Sequence, residues 1–298
     1  MPVQRGVMHN RTVKQYLLFL ASFLLLTFSR VGAQPTLEID NHDNGQELRI
    51  VSLSPNVTET LYALGAGETL VGRSDYCNYP EQVTALPSVG TLYNPSLETL
   101  LSLEPTVAIS SAFVPEDFLS SVERAGIEVV QLDTQQTFQG TYGLIRKIAE
   151  VVGKQSEAEL MILSMQNTVR EVVSSYKNET KPSVYMVIDF GGFDATATGD
   201  TFLGEMIELA GATNVAKDAR NWTYSKELLM EADPEILLLN PRWGESGEAT
   251  IQEFRTTKPY SDLSGEIIVF DADSTSRQGP RSADALKALA ALIHQGKQ

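Results

Sequence analysis

A proline-free stretch in the middle of the chain constrains the fold more than any other feature. From 138 to 176 there is no proline, and glycine occurs only at Gly140, Gly143 and Gly153. Proline removes a backbone donor and collides with the preceding turn, so its absence leaves a long uninterrupted helix available. Ile162, Met165, Val169, Val172 and Tyr176 recur at steps of three and four, which gathers them on one helical face. One long helix is therefore expected over 138–180, with Gly153 as the point where it would break and Lys181-Pro182 as its end. Such a rod within 298 residues leaves a block of chain on either side, each of ordinary domain size.

Both blocks alternate short apolar runs with amphipathic segments, the pattern of α/β architecture. In the first, 48–137, strands are expected at 48–53, from 70, at 106–110 and at 127–132. Its helices open at Ser54-Pro55 and run over 115–125. In the second, 181–298, strands are expected at 184–188, 236–239 and 267–270, with helices at 202–210, 226–231, 250–254 and 283–294. The fold class is α/β: two α/β lobes bridged by a single long helix.

The blocks also share a repeat. Ser96-Leu97-Glu98-Thr99-Leu100 runs on to Pro105-Thr106-Val107, and Ser225-Lys226-Glu227-Leu228-Leu229 runs on to Pro234-Glu235-Ile236 with the same spacing. A serine cap and a first-turn glutamate both suit the free amides and positive end of a helix. A capped helix passing through proline into a strand accounts for the repeat on its own. The other reading is functional: each lobe presents one exposed glutamate, Glu98 or Glu227, to a common partner.

The first 33 residues hold Arg5, Arg11, Lys14 and Arg30 and no acid, around an apolar run at 16–28 and the small residues Val31-Gly32-Ala33. That run is shorter than the roughly 20 residues that span a bilayer. It reads as a cleaved secretory signal, an uncleaved anchor being the alternative. Residues 34–47 form a polar tether, and with no cysteine near the cut, a soluble exported product is expected. Without the signal, 38 acidic side chains face 19 basic ones, which disfavours nucleic acid and anionic membrane as partners. The single cysteine, Cys77, rules out a disulfide framework, and reads as a buried small side chain or, less simply, a metal ligand. His9, His42 and His294 are too scattered to hold zinc or to build a Ser-His-Asp arrangement. No nucleophile elbow, phosphate-binding loop or dinucleotide fingerprint occurs, so neither catalysis nor a resident cofactor or metal is expected.

Five segments, in order, carry a family resemblance: Arg49-Ile50-Val51-Ser52-Leu53-Ser54-Pro55 and on to Glu59; 71–80 with Val89-Gly90; 199–207; 210–215; and Gly279-Pro280-Arg281. Together they resemble the periplasmic substrate-binding proteins of iron-chelate and cobalamin ABC transporters, most closely the cobalamin-binding branch, over about 48–294. The resemblance implies a ligand cleft between the lobes, small lobe motions, and a periplasmic monomer. It also implies a permease dimer with its ATPase subunits as partner, docked through one glutamate of each lobe at positions that look like Glu98 and Glu227. A ligand receptor for a membrane sensor is the reading from another class.

Open α/β sheets bind ligands at the loops after their strands. That makes candidates of Tyr76, Tyr79, Tyr93 and Phe113 in the first lobe, and of Phe193, Trp222, Tyr224, Trp243, Arg242 and Arg277 in the second. By resemblance, Tyr76, Tyr93 and Trp222 fall at or beside aromatic positions that face cobalamin in the family. Flat aromatic walls suit a large, weakly charged ligand such as cobalamin or a related corrinoid. Two alternatives stay open. A ferric siderophore would draw on Arg73, Arg242, Arg277 and Arg281, and haem on a tyrosine such as Tyr93 as axial ligand.

Overall fold

The computed structural model describes residues 47–242 and 244–295. The expected signal at 1–33, the tether up to 46 and Trp243 lie outside the described residues. The first sheet contains β1 (Ile50–Ser52), β2 (Leu70–Arg73), β3 (Val107–Ser110) and β4 (Glu128–Gln131), all parallel, in the order β2-β1-β3-β4. β1 and β3 are buried along their whole length, which is why they read as unbroken runs rather than alternating ones. Helices α1 (Pro55–Ala63), α2 (Leu97–Ser102) and α3 (Glu116–Arg124) accompany this sheet.

The second sheet repeats the plan. Its strands are β5 (Ser183–Asp189), β6 (Ala195–Thr196), β7 (Thr213–Asn214), β8 (Ile236–Leu239) and β9 (Glu266–Val269). They are ordered β6-β5-β8-β9, with β7 parallel to β5 and β6 antiparallel to it. The two-residue strands β6 and β7 were not expected from sequence, since they are too short to carry a period.

The bridge is a pair of helices and not one rod. The first, α4, spans Phe138–Val152 and the second, α5, spans Gln155–Ser175. Gly153 separates them at φ 66°, a left-handed conformation that a helix cannot continue through and that glycine takes without strain. α5 also stops at Ser175, before the Lys181-Pro182 that was expected to end it.

The remaining helices are α6 (Phe202–Leu209), α7 (Lys226–Ala232), α8 (Gly247–Thr256), α9 (Ala272–Ser276) and α10 (Ser282–Ile293). α4 packs on α1 of the first lobe, while α5 packs on α10 and α6 of the second. One apolar core therefore runs through both lobes: Val57 and Leu61, Ile145 and Ile148, Ile162 and Met165, and Met206 and Leu286 belong to a single cluster. The other face of each sheet has its own smaller core, around Leu53 and Leu100 in the first lobe and around Leu229 and Phe254 in the second. Prising the lobes apart would expose part of the shared core, at a cost of about 25 cal/mol per Å² of apolar surface.

Candidate ligand cleft and docking tips

Two open cavities lie at the carboxyl ends of the strands. The first, about 570 Å³, is lined by Asn56, Ser111, Phe113, Asp133, Thr134, Gln136 and Gln278 among others. The second, about 520 Å³, is lined by Asn240, Arg242, Phe270, Asp273 and Arg277 among others. Arg277 and Gln278 are neighbours in the chain, so the turn from α9 to α10 forms a wall of both cavities. Side-chain amides hold that turn against the first lobe. Asn56 Nδ2 donates to the Gln278 carbonyl at 3.1 Å, Gln136 Nε2 donates to Gln278 Oε1 at 3.0 Å, and Gln278 Nε2 donates to the Gln135 carbonyl at 2.8 Å. Thr134 Oγ1, buried on the first cavity's wall, has no hydrogen-bond partner among the described residues.

The arginines expected to face an anionic ligand are already engaged. Glu59 of α1, 3% exposed, receives Arg277 Nη1 at 2.8 Å and Arg281 Nε and Nη2 at 2.8 and 2.7 Å. Asp273 pairs with Arg277 as well, and the Arg281 guanidinium lies 4.1 Å from the centroid of the Tyr79 ring. Arg242 pairs with Glu253 at 2.9 Å, donates to the Phe190 carbonyl at 2.9 Å and stacks on the Phe190 ring at 4.4 Å. Arg73 donates to the carbonyls of Val83, Ser74 and Thr84. Arg242 and Arg277, expected as ligand contacts, thus border the second cavity with their charge spent on protein partners. The reason is physical: a guanidinium taken half out of water needs partners in the folded state itself. Sequence reasoning missed Glu59 and Gln278, whose partners lie more than 130 residues away and leave no local pattern.

The aromatic candidates divide differently. Tyr93 and Phe113 are 72% and 69% exposed and face one another with ring centroids 6.5 Å apart. Phe193 is 71% exposed, on the loop between β5 and β6. Trp222 is exposed too and sits at φ 62°, a region that costs a bulky residue strain; its amide donates to Thr198 Oγ1 at 3.2 Å. Tyr76 is half-buried. Tyr79 lies beneath Arg281, and Tyr224 packs on Tyr185 at the edge of the second lobe's core. Cys77 is fully buried next to Ser74 Oγ.

The repeat has the same shape in both lobes. Ser96 Oγ accepts the Thr99 amide at 3.2 Å and Ser225 Oγ accepts the Leu228 amide at 3.4 Å. Leu100 and Leu229 are buried, and the residue before each proline is left-handed, Glu104 at φ 48° and Asp233 at φ 35°. Glu98 and Glu227 both stand exposed on the first turn. Ser225 Oγ donates to Glu227 Oε2 at 2.6 Å, and this bond holds the Glu227 carboxyl below the usual carboxylate range.

Two lobes with largely parallel sheets on a shared helical core, with cavities at their strand ends, define a two-lobed solute-binding protein. Residues 50–264 match the family model for periplasmic binding proteins, and the chain belongs to that family. It is a binding protein of the ABC-transporter type rather than an enzyme, and the molecule it holds is cargo rather than a catalytic cofactor. The chain is 27% identical over 253 residues to the ABC transporter substrate-binding lipoprotein YvrC of Bacillus subtilis, covering 83% of this chain and 80% of that one. It is 26% identical over 238 residues to the vitamin B12-binding protein of Photorhabdus laumondii, covering 78% of this chain and 83% of that one. Among solved structures, the apo form of the periplasmic heme-binding protein RhuT from Roseiflexus is similar, with a TM-score of 0.74 and 26% identity over 85% of this chain and all of that one.

Proposed function

We propose that this protein is the solute-binding component of an ABC importer, capturing cobalamin or a related corrinoid in the cleft and presenting it to a permease. The observation that carries the ligand class is charge. Amides and hydroxyls dominate the polar lining of the cavity beside Phe113, where Asp133 is the one charged lining group, and the arginines of the neighbouring cavity are paired. A corrinoid offers a broad ring face and peripheral amides, which such a wall can meet without a charge partner. Haem brings two carboxylates and many ferric siderophores are anionic, and that charge would have to draw Arg242 or Arg277 from their present partners or stay unpaired. The exposed rings of Tyr93, Phe113, Phe193 and Trp222, and the half-buried Tyr76, are the candidates for covering the ring face. The vitamin B12-binding relatives support this reading, and the likeness to a heme-binding protein supports the alternative.

Titrating the protein with cyanocobalamin, haemin and a ferric hydroxamate, followed by tryptophan fluorescence, tests the assignment. One-to-one submicromolar binding of the corrinoid alone is expected. Binding of haemin or the hydroxamate alone would leave the transport role and overturn the corrinoid.

The proposed organisation is lobes at 48–137 and 181–298 with a bridge at 138–180, exported to the periplasm through the segment 1–33. Glu98 and Glu227 are assigned to docking, each meeting an arginine of the permease. Matched acidic tips on two lobes would orient the binding protein and speed its encounter. The double change Glu98→Arg with Glu227→Arg should leave cyanocobalamin affinity unchanged and weaken binding to the permease complex by about tenfold or more. Unchanged transport by that variant would remove both residues from the docking role, and a response from a sensor kinase in place of uptake would favour the receptor alternative.

A further inference from the structure

Each docking tip is anchored by the residue just before its glutamate, and the two copies of the repeat differ there. In the first lobe that residue is Leu97, which packs into the lobe's outer core. In the second it is Lys226, whose Nζ lies 2.7 Å from Asp194 Oδ2 and 5.4 Å from the centroid of the Tyr260 ring. Asp194 closes the loop that carries the exposed Phe193. Its carboxylate also accepts hydrogen bonds from the buried Tyr260 hydroxyl and from the Gly191 amide.

The loop is loose at one end and fixed at the other. Gly191 and Gly192 precede Phe193; Gly191 sits at φ 95°, and a side chain at Gly192 would meet nothing. Upstream, Phe190 is buried against Phe254 and Tyr260 and held by Arg242. A ligand pressing on Phe193 can pivot the chain at Gly192, where there is open space, and the displacement is passed to Asp194, which also ties Gly191 through its amide. Two bonds further on stands the first turn of α7 with Glu227.

We infer that the Asp194–Lys226 pair couples occupancy of the cleft to the second docking tip, through a charged contact that Leu97 cannot make in α2. The inference rests on the proposed roles of Phe193 and Glu227. Burial alone would raise the Asp194 carboxyl, but the bonds from Lys226, Tyr260 and the Gly191 amide outweigh it and hold the group below the usual range, as an anchor that stays charged requires.

Hydrogen–deuterium exchange with and without saturating cyanocobalamin tests it on the intact protein. Amides of 226–232 should change exchange rate by about fivefold or more, the lower end of typical coupling between sites. Lys226→Met keeps the aliphatic stem over Tyr260 and should bind cyanocobalamin as tightly as the wild type with the response at 226–232 lost. Tyr260→Phe, which removes one anchor bond, should reduce the response. Saturated binding with no change at 226–232, or an undiminished response in Lys226→Met, overturns the coupling and leaves the ligand assignment intact. Failure to bind cyanocobalamin overturns the ligand assignment and this inference with it.

Discussion

Replacing Glu59 with alanine should lower the melting temperature by about 10 °C, the largest loss expected from any single polar change. The carboxylate is buried and holds two guanidinium groups, Arg277 and Arg281, at 2.7–2.8 Å. Removing one partner of a buried pair leaves uncompensated charge and costs about 3–5 kcal/mol. In a chain of this size each kcal/mol shifts the midpoint by about 2–4 °C. Arg277 and Arg281, both on the α9–α10 turn, would then share only the more exposed Asp273. Because that turn walls both cavities, ligand affinity should fall as well. Thermal unfolding followed by circular dichroism checks the result, and a shift within about 2 °C would mean that solvent already compensates the arginines.

The second large effect is on binding. Tyr93→Ala and Trp222→Ala should each weaken cyanocobalamin binding by about thirtyfold, the scale of about 2 kcal/mol seen when a large aromatic contact is removed. Neither ring belongs to an apolar core: Tyr93 is 72% exposed and Trp222 39%. Trp222 adds a contrast of sign. Its left-handed backbone suits glycine, so Trp222→Gly should raise stability by about 1 kcal/mol while weakening binding. A ring kept at a strained position is one retained for contact rather than for packing. Calorimetric titration and melting curves on the same samples separate the two effects, and tight binding by Trp222→Gly would remove that residue from the site.

Much of the fold was legible because its elements carry their own periods. Buried parallel strands such as β3 and β8 read as apolar runs, and the face running from Ile162 to Tyr176 gave α5. The matched serine, glutamate and proline gave two equivalent connections, and both appear with the same caps and the same left-handed residue before proline. Gly153 was legible as a weak point, but a break needs a positive φ, which spacing does not reveal. The short strands β6 and β7 and the helix α9 had too few residues to register.

The site was legible only in part, for a different reason. Exposed aromatics can be nominated one at a time, whereas the fate of an arginine depends on which acid the fold brings to it. Arg277 looked available because Glu59 lies 218 residues away in sequence, and only the fold, which brings the α9–α10 turn against α1, makes the pair. The same long-range assembly hid Gln278, which joins the lobes through Gln135 and Gln136.

In the proposed function, this cleft recognises an uncharged, amide-bearing ring. Calorimetric comparison of cobinamide with cobyrinic acid, the same corrin ring bearing carboxylates in place of amides, tests it most directly. Cobinamide should bind with submicromolar affinity and cobyrinic acid at least about a hundredfold more weakly, since its carboxylates would meet Asp133 and no free cation in the amide-lined cavity. Equal or tighter binding of the carboxylate form would overturn recognition of an uncharged ring, and would mean that Arg242 and Arg277 leave their partners to take the ligand.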